Sequence, residues 1–282
     1  GITSAEEQPV LPKGNNLSLH LLELFTSQVA KVGMTDGIRQ VLQEESDALR
    51  AYYEQAGILI ARPAGGTSCR LAISAKGGTN AENHNHNDVG SYAVALGSET
   101  MVGDQGGPNS YPGDYFNGDA PQKYKIKGSF GHPVPVVDGR TQSSGGKAKG
   151  VVLQKEFTNE KDVFSIDYTS AYSTPNLDKL IRTFVYDRQG EGNFTVGDEF
   201  TAKTPIRFET AITTRADWKV LDDTHLLLAT DSEQMIVAID ASGKVAFTSE
   251  TIEVNSPAYT RIGIALKNQS KEGYIRLKMY TK

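Results

Sequence analysis

The chain has 282 residues, of which 38% are hydrophobic and 22% charged, and its formal net charge is −5. This length and composition are typical of a globular protein with one large β domain or two ordinary domains. The acidic balance argues against a protein held to nucleic acid by overall positive charge, and no apolar run approaches the roughly 18 residues of a membrane span.

The N-terminal residues and the single cysteine carry little information about cellular location. The chain begins Gly-Ile-Thr-Ser without an apolar signal core, so a signal peptide was either removed or never present. Cys69 has no second cysteine with which to form a disulfide or a thiolate metal site, and we expect it to be a buried strand residue.

Two amphipathic helices are predicted in the first part of the chain. Asn16 can cap the first helix, and leucines at near-helical spacing follow it. The second helix is predicted to start after Thr35 or Asp36 and to end at Gly57. We therefore expect a helical lead-in over residues 1–56, which either packs on the following sheet or ends a larger helical domain.

From Gly57 onward, short β-rich runs separated by turn residues replace the helical pattern. In DVFSIDY, for example, Phe164, Ile166 and Tyr168 alternate with polar residues, as in a half-buried strand. Asp138-Gly139 is a tight-turn signal. Because the runs follow one another without helices, they predict an antiparallel sandwich or barrel. The runs are GILIARPA, CRLAISAK, SYAVALGS, DVFSIDYTSAY, LIRTFVYDR, PIRFETAITT, QMIVAID and GYIRLKMY.

The polar segment 77–107 contains the histidine pair His84 and His86. An extended backbone there would place both imidazoles and the carboxylate of Asp88 on one face. Two neutral imidazoles and a carboxylate, from Asp88 or Asp104, suit a divalent metal such as zinc, and three protein ligands leave one position open. A polar surface strand is the alternative interpretation of the histidine pair.

Two residues further along the chain extend this candidate site. Asp104 closes the apolar run ETMVGD, so its carboxylate is expected at a strand end, although it can also be a turn-forming aspartate. His132 lies in GSFGHPVPVVDG, just before a strand and turn signal, and can supply a distant ligand. A structural histidine before proline is the alternative.

The segment 110–128 is rich in lysine and tyrosine. An extended backbone would place Lys123, Lys125 and Lys127 on one face, forming a basic stripe in an acidic protein. Such a stripe would attract a carboxylated or sulfated substrate, or it would protect an edge strand from aggregation.

Three tyrosines in this segment are candidate substrate contacts. Tyr111, Tyr115 and Tyr124 can stack on sugar rings or exchange protons, and packing residues are the other interpretation.

A cupin metal motif is a competing interpretation of the histidine pair. Gly78 followed by His84-Asn85-His86 matches the start of that motif, but its glutamate is missing because Val89, Gly90 and Ser91 occupy the region. The cupin assignment therefore fails.

With His84, His86, Asp104 and His132 as candidate site residues, the sequence resembles the heparinase II/III-like polysaccharide lyases, specifically their C-terminal β-sandwich region. Between residues 57 and 139 the resemblance rests on AGILIARP, on KGGTNAENHNHNDVGSYAVALGSE with VGDQGG, on DYF and on SFGHPVPVVDG. LIRTFVYDR and FTVGDEF are similar to later strands of the family. Pro133 stands where the family has an asparagine.

The resemblance implies a fold and a set of site residues. It implies an antiparallel β-sandwich over residues 57–282, preceded by two helices that are the remnant of an α/α toroid domain. It implies that His86, Asp104 and His132 hold one zinc ion, largely structural, and that His84 faces the substrate as a catalytic or substrate-contacting histidine.

The family's reaction is β-elimination on a glycan that contains uronic acid. A base removes the proton beside the uronate carboxyl group, that group's charge is neutralised, and an acid protonates the departing glycosidic oxygen. The implied substrate is an acidic polysaccharide or oligosaccharide, whether heparan-like, alginate-like or another uronate.

In family enzymes the toroid supplies a tyrosine and the groups that neutralise the carboxylate. The resemblance therefore implies a C-terminal portion of a longer periplasmic or secreted lyase, which is inactive without its N-terminal helical domain. The alternative from another class is a non-catalytic carbohydrate-binding module with a structural metal.

Overall fold

The structure is a computed structural model that describes residues 48–82, 84–104, 106–108, 110–253 and 258–282. Within these ranges the chain is mainly β, and every strand pair is antiparallel. In chain order the elements are β1 (Arg50–Tyr53), β2 (Ile58–Ala61), β3 (Leu71–Lys76), β4 (Thr79–Asn80), β5 (Tyr92–Leu96), β6 (Glu99–Val102), helix α1 (Ala120–Lys123), β7 (Val136–Val137), β8 (Gly145–Lys149), β9 (Val151–Phe157), β10 (Lys161–Asp167), β11 (Leu177–Asp187), β12 (Asn193–Ile206), β13 (Phe208–Thr214), β14 (Asp217–Asp222), β15 (His225–Ala229), β16 (Gln234–Ala241), β17 (Val245–Ile252), β18 (Tyr259–Leu266) and β19 (Ser270–Thr281).

In the described residues the strands form three larger sheets and one small two-stranded sheet. One sheet has the order β1-β2-β3-β5-β6, and a second has the order β17-β18-β13-β7. The largest sheet has eight strands in the order β14-β15-β16-β19-β12-β11-β10-β9, and β4 pairs with β8. The antiparallel β fold that the sequence predicts is therefore confirmed.

One continuous hydrophobic core lies between the eight-stranded sheet and the two smaller sheets. On the eight-stranded sheet the rings of Phe164, Phe184 and Phe194 stack across three neighbouring strands, with centroids 6.0 and 6.2 Å apart. Tyr92 of β5 packs its ring against Phe184 and Phe194 from the opposite layer. Such aromatic pairs contribute about 0.5–1.5 kcal/mol each beyond the burial of their area.

The two smaller sheets adjoin at the end of β6. The backbone amide of Gly103 donates to the carbonyl of Thr213 at 3.0 Å, and the Thr213 hydroxyl donates to the Gly103 carbonyl. This pair of bonds fixes the residue that follows, Asp104, at the edge between the two sheets.

The predicted strands and the tight turn agree with the structure. Each of the eight β-rich runs contains a strand. Phe164, Ile166 and Tyr168 are all fully buried, as their alternation indicates. Asp138 and Gly139 have φ angles of 52° and 76°, and Val137 and Arg140 exchange backbone hydrogen bonds around them, which is the geometry of a tight hairpin turn.

The second predicted helix is wrong where the structure describes it. Residues 50–53 form strand β1, which pairs with β2 in the register Arg50↔Ala61 to Tyr53↔Ile58. The pairing and the hydrogen bond from Nε of Arg50 to Asp162 outweigh the local helical spacing. The first helix and the start of the second lie outside the described residues, and the boundary at residue 57 remains a prediction. Among the described residues, no helix has the length and apolar character that a membrane span requires.

Candidate metal centre

Three residues from distant parts of the chain meet at one point of the structure. His86, Asp104 and His132 each offer one ligand atom, and these atoms all lie within 4.8 Å of one another. Asp104 follows β6, and His132 follows a short 3-10 turn, Ser129–Gly131. At Gly131 any side chain would clash with the backbone at Lys125, so glycine allows this close approach.

Asp104 and His132 are held together by a set of hydrogen bonds. Nδ1 of His132 lies 2.9 Å from Oδ2 of Asp104, and Nε2 lies 3.0 Å from the carbonyl oxygen of Ile126. The carboxylate also accepts from the Ser91 hydroxyl and from the backbone amide of Gly106, each at 3.1 Å. A backbone carbonyl that accepts from one imidazole nitrogen turns the other nitrogen toward the centre, which is the usual orientation of a metal-bound histidine.

The charges at the centre shift three pKa values. Burial, together with the neighbouring His132, lowers the pKa of His86 to about 4, so His86 is neutral near pH 7. Burial also lowers the pKa of His132, but the Asp104 carboxylate outweighs burial and the net shift is upward. For Asp104 burial raises the pKa, and the two histidines outweigh it and hold the pKa well below the usual range.

Tyr115 contacts the third ligand. Its hydroxyl oxygen is 3.0 Å from Nε2 of His86, and the imidazole rings of His86 and His132 have centroids 5.1 Å apart. The side chain of Tyr115 is buried, and burial raises the pKa of its hydroxyl. Tyr115 therefore orients His86 and stays protonated at neutral pH.

The prediction of an extended backbone around the histidine pair is wrong. Residues 84–90 form turns, and His84 has a φ of 59°, in the left-handed region. Asp88 is not one of the clustered residues: its carboxylate pairs with the ammonium group of Lys76, and its backbone amide donates to Oδ1 of Asn80. Of the two candidate carboxylates, the structure therefore brings Asp104 and not Asp88 to the imidazoles.

His84 is separate from the three clustered residues. Its side chain is exposed, and its imidazole packs on the ring of Phe116, with centroids 4.5 Å apart. Phe116 and Tyr111 are both about half exposed, and their rings lie 5.0 Å apart. The exposed histidine therefore lies at the edge of an aromatic surface, which we define as His84, Tyr111 and Phe116.

The predicted lysine stripe does not exist. Lys123 ends helix α1 and pairs with Asp114, and Lys125 pairs with Glu250. Lys127 is buried, and its ammonium group donates to the carbonyl of Tyr115. The backbone turns at this point because the amides of Lys127 and Gly128 both donate to the Tyr124 carbonyl, which removes the alternation of an extended strand.

Tyr124 is also accounted for within the loop, since its hydroxyl donates to the carboxylate of Asp114. Of the three candidate tyrosines, Tyr111 is the most exposed, Tyr115 contacts a candidate ligand and Tyr124 bonds within its own loop. Substrate contact by these residues remains a prediction.

Two residues that sequence reasoning missed hold the ligand loops in place. Gln142 donates from Nε2 to the Val89 carbonyl and accepts from the amide of Asn80, so it closes the loop that carries the histidines. Nη1 of Arg182 donates to the carbonyls of Gly90 and Pro133, each at 2.7 Å.

Arg182 is fully buried and forms two hydrogen bonds to the carboxylate of Asp198. The sequence does contain a signal for this role. Arg182 lies in the β-rich run LIRTFVYDR, on the same face as the core residues Leu180 and Phe184, and an arginine on a buried face requires a partner.

The residues at the centre fit a zinc ion. Two imidazole nitrogens and one carboxylate are a ligand set that zinc prefers. Each histidine also has a partner that orients its ring: the Tyr115 hydroxyl contacts His86, and the Ile126 carbonyl contacts His132. A bound zinc ion would neutralise Asp104 and link it to the loops of residues 84–90 and 129–134. Neighbouring residues of the chain orient the three candidate ligands, while the exposed His84 can contact a bound molecule.

No protein-family model and no curated protein matches the sequence. Solved structures do match the fold. A heparinase III structure matches with a TM-score of 0.64 and 18% sequence identity, over 82% of this chain and 36% of that chain. Heparan sulfate lyase HepC from Pedobacter heparinus matches with a TM-score of 0.68 and 14% identity, over 96% of this chain and 44% of that chain.

A further heparinase III structure matches with a TM-score of 0.66 and 13% identity, over 86% of this chain and 38% of that chain. The chain therefore spans about two fifths of the length of these lyases. Such low identities establish a common fold and leave the activity to be tested. The resemblance seen in the sequence is confirmed at the level of the fold, which is that of a large part of heparinase III and heparan sulfate lyase structures.

Proposed function

We propose that this chain is the zinc-bearing β-sandwich portion of a polysaccharide lyase that cleaves uronic-acid-containing glycans by β-elimination. The observation that carries the proposal is the combination of a heparinase-like fold with an exposed histidine beside a three-residue metal centre. The substrate is an acidic polysaccharide or oligosaccharide, in keeping with the lyases whose fold the chain shares. Such an enzyme works in the periplasm or outside the cell.

In this proposal His84 is the catalytic residue of the chain. β-Elimination breaks the C–H bond beside the uronate carboxyl group and the C–O bond to the leaving sugar, and it forms a carbon–carbon double bond. One group takes the proton and one group gives a proton to the leaving oxygen. An exposed imidazole is a residue type that can accept or donate a proton in such a step.

His86, Asp104 and His132 have a different part in the proposal. They would hold a zinc ion, and ligation by His86 would restrict the conformation of the loop of residues 84–90. In the proposal Tyr111 of the aromatic surface stacks on a sugar ring, and the exposed Lys123 and Lys125 contribute a weak attraction to the acidic groups of the glycan. Their pairing with Asp114 and Glu250 reduces that attraction.

The remaining catalytic groups are proposed to lie outside this chain. Since the chain covers about two fifths of the matched lyases, we infer that a helical domain supplies the group that neutralises the uronate carboxylate. Catalysis needs base, acid and neutralising group in one arrangement, and the loss of preorganised partners costs several powers of ten in rate. The isolated chain is expected to be nearly inactive.

The experiment that tests this function is an assay of the full-length, zinc-loaded protein on a panel of uronate polysaccharides that includes heparan sulfate and alginate. A lyase releases chains with unsaturated uronate ends, which absorb ultraviolet light. A non-catalytic binding module retains the glycan and releases no such product. Binding without product from every member of the panel would replace the lyase by the module.

A further inference from the structure

His84 is oriented by packing alone. No hydrogen bond joins its imidazole to any residue in the described part of the chain, although the backbone at His84 is in the left-handed region with φ 59°. Its one ring contact there is with Phe116, at a centroid distance of 4.5 Å and an interplanar angle of 37°. An exposed imidazole held only by its backbone would sample several rotamers, so this contact restricts its direction.

Phe116 is an unusual residue for a surface turn. About 48% of it is exposed, yet its ring contacts Tyr111 and Tyr115 as well as His84, at centroid distances of 5.0 and 5.4 Å for the tyrosines. A half-exposed ring at this position adds little buried apolar area to the hydrophobic core. The contacts of Phe116 are instead with residues at the edge of the candidate metal centre.

Lys127 fixes the ring of Phe116 from the protein side. Its ammonium nitrogen lies 4.8 Å from the centroids of both Phe116 and Tyr115, and it donates to the Tyr115 carbonyl. The side chain is buried, and no carboxylate pairs with it among the described residues. Burial of an ammonium group without an anion is costly, and cation–π contacts of about 0.5–2 kcal/mol each offset part of that cost.

The same lysine also holds the histidine loop. Its carbonyl oxygen accepts a hydrogen bond of 2.9 Å from the backbone amide of Asn87, three residues after His84. Lys127 thus joins two loops, the histidine loop through its carbonyl and the loop of residues 111–117 through its ammonium group. Their relative position determines where Phe116 meets His84.

We propose that Phe116 is a positioning residue for His84, and that Lys127 holds Phe116 in place. The phenyl ring sets the direction of the imidazole, so the buried lysine indirectly sets it as well. The catalytic consequence rests on the proposed lyase function, whereas the orientation of His84 does not.

The orientation is tested by the ring-current shift of the His84 imidazole in NMR spectra of the zinc-loaded protein. The His84 signal is identified by its loss in His84→Gln. We expect an upfield shift relative to the half-exposed His225, because the Phe116 ring lies 4.5 Å away. Phe116→Ala is expected to remove the shift, and Phe116→Tyr to retain it.

Lys127→Met provides a second variant that separates positioning from folding. Methionine keeps a long apolar side chain and removes the buried charge, so the protein is expected to fold with unchanged or increased stability. The His84 shift is nevertheless expected to decrease, because the phenyl ring loses its cationic partner. A His84 signal that stays at its wild-type position in Phe116→Ala would overturn the proposal.

The catalytic consequence is measured in the full-length protein on a glycan that it cleaves. Phe116→Ala is expected to lower kcat by about 10- to 100-fold with little change in KM, and Phe116→Tyr to restore most of it. Tyr53→Ala, a variant of a similarly exposed aromatic residue on β1, serves as the control with unchanged kcat. An unchanged kcat in Phe116→Ala, despite a lost ring-current shift, would overturn the catalytic part. Failure of the wild type to cleave any glycan would instead refute the lyase function, and the NMR result would still decide the orientation.

Discussion

Both ring nitrogens of the buried His132 face oxygen atoms: Nδ1 lies 2.9 Å from Oδ2 of Asp104, and Nε2 lies 3.0 Å from the carbonyl of Ile126. A carboxylate and a carbonyl are acceptors only, so the metal-free arrangement requires a proton on each nitrogen. Without metal the imidazole is therefore a cation paired with Asp104. A metal ion at Nδ1 would take the place of one proton.

This relationship predicts how the stability of the metal-free protein depends on pH. The folded pKa of His132 is raised above the unfolded value of about 6.5, so its contribution is complete below pH ~6.5 and is lost as pH rises through the folded pKa. His86 acts in the opposite sense. Its folded pKa of about 4 adds stability above pH ~6.5 that is lost as the pH falls through that pKa.

We therefore expect the free energy of unfolding of the chelated protein to fall on the alkaline side as well as on the acid side. Urea denaturation at a series of pH values measures it. The zinc-loaded protein is the control, because the ion replaces the proton on His132 and removes the alkaline loss. An alkaline branch that is flat in the chelated protein would contradict the assigned charge of His132.

The second prediction concerns metal content. Protein purified without added metal is expected to hold about one zinc ion per chain, because the three ligands match the preferences of zinc. His86→Ala is expected to lose the ion and to destabilise the fold, since metal binding contributes to folding. His225→Ala, which alters a histidine on strand β15 far along the chain, is the matched control and keeps the ion. Elemental analysis showing no zinc in the wild type, with unchanged stability on chelation, would remove the metal assignment.

The third prediction concerns the arginine that supports the two ligand loops. Arg182→Met leaves the buried carboxylate of Asp198 without its partner and frees the carbonyls of Gly90 and Pro133. Breaking such a buried pair costs about 3–5 kcal/mol, which chemical denaturation measures. The double variant Arg182→Met/Asp198→Leu removes the unpaired charge and is expected to recover much of the loss. A double variant no more stable than the single one would show that the cost lies in the lost loop contacts.

The fourth prediction concerns attraction of an acidic glycan. Binding of acidic oligosaccharides is expected to weaken as salt increases, because exposed charges are screened. Lys123→Ala/Lys125→Ala is expected to weaken binding by only about two- to fivefold, since each lysine already faces a carboxylate. Lys155→Ala, which removes an exposed lysine on β9 paired with Glu54, is the matched control. Equal affinity for neutral oligosaccharides in a calorimetric titration would contradict a role for charge.

The sequence predicts the strands well, and the three residues that it offers as metal ligands lie together in the structure, because both depend on patterns that the fold preserves. Asp104 emerges at the end of an apolar run, and that run is the buried strand β6. His132 follows a glycine-rich turn before a hairpin signal, and both features are present. The alternation of apolar and polar residues in strands and the residue types of turns are local properties, so they can be predicted without knowledge of the tertiary structure.

The errors arise where tertiary contacts decide the backbone. The extended interpretation of the histidine pair fails because His84 adopts a left-handed φ and Asn80 and Gln142 bond the backbone at Asp88 and Val89. The lysine stripe fails because Lys127 turns inward. Helical spacing before Gly57 was outweighed by the pairing of β1 with β2, and spacing alone contains no information about that partner.

We propose that His84 is the catalytic residue of a uronate lyase and that it is separate from the candidate metal ligands His86, Asp104 and His132. The most direct measurement is the rate at which the full-length, zinc-loaded protein releases ultraviolet-absorbing unsaturated ends, compared between wild type and His84→Ala, with zinc content determined on the same samples. We expect the rate in His84→Ala to fall by about 10²-fold or more, as for removal of a general acid or base, with about one zinc ion retained. Wild-type rates in His84→Ala, or loss of its zinc ion, would contradict it.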